Sequence, residues 1–218
     1  MPEPVSVPFM IRPRFDQAAC DNLADCIRDI EKETNAELVI VVRARSGSYR
    51  HVDLLCGSIL AYAGLLFLLF SPWVFAHYFV ALDVALLFAA GFFISSKSNA
   101  IRRLLIKKEE RARHVREGAA AMFYEAGIAN TKAEMGVLIY LSLMERRLEL
   151  LADRGVLEGA PPLEWNECVF DLQQVGRRPH PEDFLKALRA FGQMLAKNIP
   201  ATGDNPNELG DLPRFELK

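Results

Sequence analysis

The chain has 218 residues, a formal net charge of −2 and four cysteines. A total this close to neutral gives no reason to expect a nucleic-acid partner. Cys20, Cys26, Cys56 and Cys168 form no CxxC pair and no grouping with histidine, so they read as reduced packing residues rather than a disulfide framework or a metal site.

From the N-terminus, MPEPVSVPFMIRPR has prolines where a secretory signal needs an apolar stretch, so insertion into a membrane would fall to a later segment. Phe15 to Lys32 predicts an amphipathic helix, because Leu23, Cys26, Ile27 and Ile30 recur at spacings of three and four. Glu37 to Val42 (ELVIVV) is a short β-branched run, as in a strand covered on both faces. Arg43 to His51 then leads toward an apolar tract, with Ser46-Gly47-Ser48 as a flexible point.

Between Leu54 and Ser96 the only charged residue is Asp83, and Ser71-Pro72 breaks the tract near its middle. One bilayer crossing needs roughly 20 apolar residues, so the tract predicts two spans, Leu54 to Phe70 and Tyr78 to Ser95. Arg43, Arg45 and Arg50 precede the first; Lys97, Arg102, Arg103, Lys107 and Lys108 follow the second; Ser71 to His77 has neither Lys nor Arg. That asymmetry puts both termini in the cytoplasm. Trp73 and Tyr78 read as interfacial anchors.

Asn99 to Glu125 predicts one long helix whose basic first part faces anionic lipid headgroups, with Gly127 as its cap. Gly136 to Leu143 and Leu148 to Ala152 predict two further strands joined by Met144 to Arg147. Pro161-Pro162 opens a helix to about Val175. His180-Pro181-Glu182-Asp183 opens another with Phe184, Leu188, Phe191 and Leu195 on one stripe. Ile199 to Lys218 reads as irregular. The expected fold is α/β: a layered domain with helices on both faces of a small sheet, interrupted by a transmembrane helical hairpin. Its divisions are residues 1–53 (first helix and strand), 54–96 (hairpin), 97–198 (remainder of the domain) and 199–218 (tail). The strands before and after the hairpin are too apolar to stand alone and belong to one sheet.

Several strings, in order, carry a resemblance: Thr34 to Val39, Ser46 to Tyr49, the apolar hairpin, Phe123 to Ile128, Gly136 to Ile139, Ser142 to Arg147, Ala152 to Val156, Trp165, and Asn207-Glu208-Leu209. Together they resemble the TPM-domain family, in its two-pass bacterial branch, over about residues 15 to 212. The resemblance implies a membrane-associated domain. Family members include acid phosphatases, calcium binders and assembly or repair factors for membrane complexes. It also implies LemA-family or other TPM-domain membrane proteins as partners. Two strings depart from the family pattern: Arg12-Pro13-Arg14-Phe15-Asp16, where only Asp16 is acidic, and Glu134-Met135 ahead of the second strand.

The chain contains no Walker-type loop, no CxxxxxR string, no HExxH and no EF-hand loop. Its four histidines lie in different elements, which argues against a histidine metal site. Glu145 and Arg146 read as turn or salt-bridge residues. Asp153 reads as a turn residue ahead of Gly155 or, with Asp16 or Glu37, as a ligand of calcium or magnesium. Glu145 and Asp153 bracket a predicted strand, about 20 Å apart along it, so they are not one acid–base pair. Asp83 reads as a side chain reaching the outer interface, or as a partner contact or proton-linked site. The expected function is a non-enzymatic membrane-tethered module that binds protein partners. The alternative is a divalent-metal-dependent phosphatase. Transport is disfavoured because two spans enclose no pathway unless the protein oligomerises.

Overall fold

The computed structural model describes residues 17–73, 79–131, 134–202, 209 and 214–216. Its contacts divide the chain into two compact units, residues 1–46 with 112–218 and residues 47–111.

The first unit is α/β. Helix α1 (Gln17–Glu33) leads into β1 (Glu37–Arg43), and β2 (Gly136–Ser142) and β3 (Arg147–Ala152) form an antiparallel hairpin. A three-residue strand, β4 (Arg214–Glu216), completes a mixed sheet of order β3-β2-β1-β4. β1 runs parallel to both neighbours, pairing Glu37 with Gly136 at one end and Arg43 with Ser142 at the other. Every β1 residue except Arg43 is buried, and all of β2 is.

Alternation along these strands builds two cores. Leu38, Ile40, Val42, Val137, Ile139 and Leu141 face one side. There they meet the stripe of α1 and helices α6 (Arg154–Gly159), α7 (Pro162–Arg177) and α8 (Pro181–Asn198). Val39, Val41, Leu138 and Tyr140 face the other, against Val115, Ala119, Met122 and Phe123 of α5 (Lys108–Glu125). The expected layering, helices on both faces of a small sheet, is what this unit has. Gly127 ends α5 at φ +73°, a conformation glycine adopts without strain.

The second unit holds two packed antiparallel helices, α2 (Arg50–Phe70) and α3 (Val80–Lys97), followed by the short α4 (Asn99–Leu105). Both long helices are long and apolar enough to cross a membrane. Glycines let their backbones approach: a Cβ at Gly57 would lie 2.9 Å from the Phe88 carbonyl oxygen, and one at Gly91 2.8 Å from that of Cys56. Small residues at such crossings are a common device of helices packed in lipid.

Three expectations need correction. The predicted helix from Asn99 to Glu125 is two helices, because Ile106 is extended (φ −88°, ψ 131°) and buried. Lys107 to Arg111 offers no apolar residue to carry the stripe across, so burial of Ile106 prevails over helix continuity. The tail, expected to be irregular, contributes β4, a bridge from Pro200 to Thr34 and hydrogen bonds between Asn35 and Thr202. A three-residue strand is too short to show alternation, and the free edge of β1 recruits it. Finally, Asp153 is the N-cap of a helix absent from the sequence reading, α6, and not merely a turn residue. Four free cysteines are present, with Cys20 and Cys26 buried.

The sheet makes a prediction about excision. A Cβ at Gly118 would lie 3.6 Å from the Ser46 Cβ, and Ala112 stands about 9 Å before Gly118 along the helix. A Gly/Ser linker of roughly eight residues, reaching about 15 Å, should therefore join Ser46 to Ala112. The product should be soluble, unfold cooperatively and show dispersed amide resonances. A chain starting at Ala112, lacking the strand between β2 and β4, should aggregate. Cooperative folding of that shorter chain would overturn the single-sheet account.

Candidate functional site

Among the described residues, both units contain a cluster of buried polar side chains. In the second unit it joins three helices. Asp53 lies in the first turn of α2, Ser95 near the end of α3 and Arg102 in α4. Arg102 grips Asp53 with both arms of its guanidinium, Nε to Oδ1 at 3.1 Å and Nη2 to Oδ2 at 2.6 Å. The Ser95 hydroxyl donates to Oδ1 at 2.8 Å. Asp53 is 2% exposed and Arg102 7%. The two-pronged geometry fixes α4 against both long helices, and burial removes most of the screening that weakens surface pairs.

In the first unit the cluster lies where β1 and β2 end side by side. Glu145, 1% exposed in the β2–β3 turn, accepts from the Ser46 backbone N–H at 2.9 Å and from the Ser142 hydroxyl. The Ser46 hydroxyl donates to Ser142 at 2.8 Å and lies 3.0 Å from the Tyr140 hydroxyl. An Arg43 N–H reaches Tyr140 at 3.5 Å. This end of parallel strands is where α/β sheets often bind ligands, but here the polar groups engage one another. Their chemistry is a tie between the segment leaving β1 and the turn leaving β2.

The residues singled out from sequence are scattered. Glu145 belongs to this tie. Arg146, beside it, takes the left-handed conformation (φ 53°) that the tight turn needs. Glu37 is buried at the opposite end of the sheet, and its Oε2 accepts from the Leu209 N–H at 3.2 Å. Asp153 is at that end too: its N–H donates to Gly136, the register partner of Glu37. It is thus two strand spacings, about 10 Å, from Glu37. Its Oδ1 accepts from the Arg154 N–H, while Oδ2 is buried with no hydrogen-bond partner. Asp153 and Glu145 lie beyond opposite ends of β3. Asp16 and His77 fall outside the described residues. Asp83, in the first turn of α3, lines a cavity of about 320 Å³ with Gly64, Phe67, Leu68, Leu86 and Leu87.

Sequence reading missed the partnership of Asp53 with Arg102 and assigned Arg102 to the lipid-facing basic stretch. The structure corrects that: Arg102 turns inward. An acid just before the apolar tract and a base just after it, at mirrored positions of a hairpin, was the available signal.

Burial shifts three ionisable groups of the first unit. Burial pushes the Cys26 thiol up, against a smaller opposing pull from Arg189. Burial also raises the Cys168 thiol, and Asp171, Glu167 and Glu164 add to the effect. Burial raises the Glu149 carboxyl as well, with Arg116 and Arg147 offsetting only part of it.

Backbone comparison finds a likeness to the NMR structure of the BA42 protein from the psychrophilic bacterium Bizionia argentinensis. The TM-score is 0.57 at 16% identity, covering 93% of this chain and 95% of that one, which is a similarity of fold alone. No protein-family model matches the chain, and no curated protein does.

Two predictions follow from the ionic groups. Replacing one member of the buried pair, in Arg102→Ala or Asp53→Leu, strands the other and should cost roughly 3–5 kcal/mol. The double variant D53L/R102M should recover much of that loss in thermal unfolding of the detergent-purified chain. For Glu149, the folded state holds its proton more tightly than the unfolded chain does. Its contribution is therefore most favourable below the ordinary value of 4.5 and falls as pH rises from there through the raised folded value. Glu149→Gln should remove that falling limb in a midpoint-against-pH series and leave the protein more stable than the parent at neutral pH.

Proposed function

We propose that the protein is a two-pass inner-membrane protein with both termini in the cytoplasm. Its α/β unit acts there as a TPM-like, non-enzymatic module for partner binding or assembly. The observation that carries this reading is the outward surface of the hairpin. Leu55, Ile59, Leu69, Leu86 and Ile94 stand exposed there, and Phe70 is 82% exposed. An apolar surface this extensive is not stable against water and calls for lipid around it. The basic residues flanking both outer ends, and their absence from the connecting turn, supply the orientation. The preference for binding over catalysis draws on the polar clusters, whose groups hydrogen-bond largely with one another. The resemblance drawn from sequence adds LemA-family or other TPM-domain membrane proteins as candidate partners.

One observation favours a second reading, a phosphatase dependent on calcium or magnesium. The orphaned Oδ2 of Asp153 is a free acceptor at the sheet end that also carries Glu37. Against it, one oxygen of Glu37 is already engaged by Leu209. Asp16, the third candidate ligand, lies outside the described residues.

The chain should stay with the membrane through an alkaline wash, and reporter fusions at Lys218 should be active in the cytoplasm and those after Pro72 in the periplasm. Purified protein should not hydrolyse a generic phosphate ester with either ion. Metal-dependent turnover that disappears in Asp153→Asn would establish the second reading in place of the first.

A further inference from the structure

We propose that α4 is an interfacial helix whose Leu104 and Leu105 enter an anionic lipid leaflet, with Lys97, Lys107 and Lys108 at the headgroups. The inference rests on the two-pass reading and adds to it a surface of defined chemistry.

The observation behind it is an inversion of burial. In a helix facing water, Arg102 would point outward and the leucines inward. Here Arg102 is buried on Asp53, while Leu104 is 85% exposed and Leu105 stands partly exposed beside it. The inversion is built in. Ser98 is extended (φ −105°, ψ 99°), ends α3, and accepts from the Ile101 N–H with its side chain, so the chain changes direction before α4 begins. Ile106 is extended at the other end. The Asp53–Arg102 pair then sets the rotation of the helix between these two breaks. Without it, the leucines would have no fixed outward direction.

Charge and continuity identify the occupant. Lys97 ends α3, and Lys107 and Lys108 follow α4; all three are exposed. The acids nearest along the chain are Glu109 and Glu110, in the first turn of α5, and Glu110 lies 3.6 Å from His51. Apolar side chains flanked by lysines, on a helix separated from a spanning helix by the single residue Ser98, sit at the depth where acyl chains meet headgroups. Each lysine near an anionic surface strengthens binding by a factor of about five, so the effect should depend on lipid charge.

The full chain, reconstituted into nanodiscs of phosphatidylcholine with and without phosphatidylglycerol, provides the test by amide hydrogen exchange. Exchange across residues 99–105 should slow when phosphatidylglycerol is present, on the order of fivefold per engaged lysine at most. L104E/L105E should abolish the protection. The milder K107Q/K108Q should keep the fold and remove only the dependence on phosphatidylglycerol. All of these should leave α2 and α3 protected. Equal exchange in both lipids and in detergent, or protection indifferent to L104E/L105E, would mean that protein or water covers the leucines, and the proposal is wrong. If α2 and α3 exchange freely in nanodiscs, the two-pass reading itself fails, and the proposal with it.

Discussion

The parallel pairing of β1 with β2 is the constraint on which the rest of this structure depends. Parallel neighbours cannot be joined by a tight turn; the chain must cross from the end of one to the start of the other. Here everything from residue 44 to residue 135 lies within that crossover, the apolar hairpin included. The strand that begins the crossover is bonded on both edges and buried on both faces. Neither end of the chain can then form its layer without the other. The segment after the hairpin returns α5 to cover one face of the sheet that α1 and α8 cover on the other.

Buried polar groups serve both units in the same way, by fixing geometry where apolar packing is indifferent to it. Leucine against leucine tolerates sliding, whereas a carboxylate gripped by both arms of a guanidinium does not. Asp53, Ser95 and Arg102 set how three helices meet. Glu145 does the corresponding work in the sheet unit, where it holds the Ser46 backbone. Such ties contribute less to net stability than their gross strength suggests, because both partners lose water. Their contribution is to select one arrangement among several of similar packing energy.

Patterns of local origin were legible in the sequence. The β-branched run from Glu37 to Val42 and the run from Gly136 to Leu143 show as strands because both faces are apolar. The stripes of α1 and α8 show because their period is that of a helix. The apolar tract broken at Ser71-Pro72 shows because length and composition suffice for two helices able to cross a membrane. Glu145 was legible as a turn residue, though its reach to Ser46 was not, since no local pattern links positions so far apart in the chain.

What the sequence by itself determined, then, was the α/β class, the order of the main elements and the apolar hairpin between two of the strands. Each depends on the periodicity of neighbouring residues. Only the tertiary structure decided that Arg102 turns inward to Asp53, that Ile106 breaks a helix its neighbours would have continued, and that Arg214 to Glu216 adds to β1. It alone placed Glu37 and Asp153 at the same end of one sheet. These outcomes depend on what burial offers a residue from distant parts of the chain. A charge finds its partner, an apolar side chain its cavity and a strand its open edge only once the fold has brought them together.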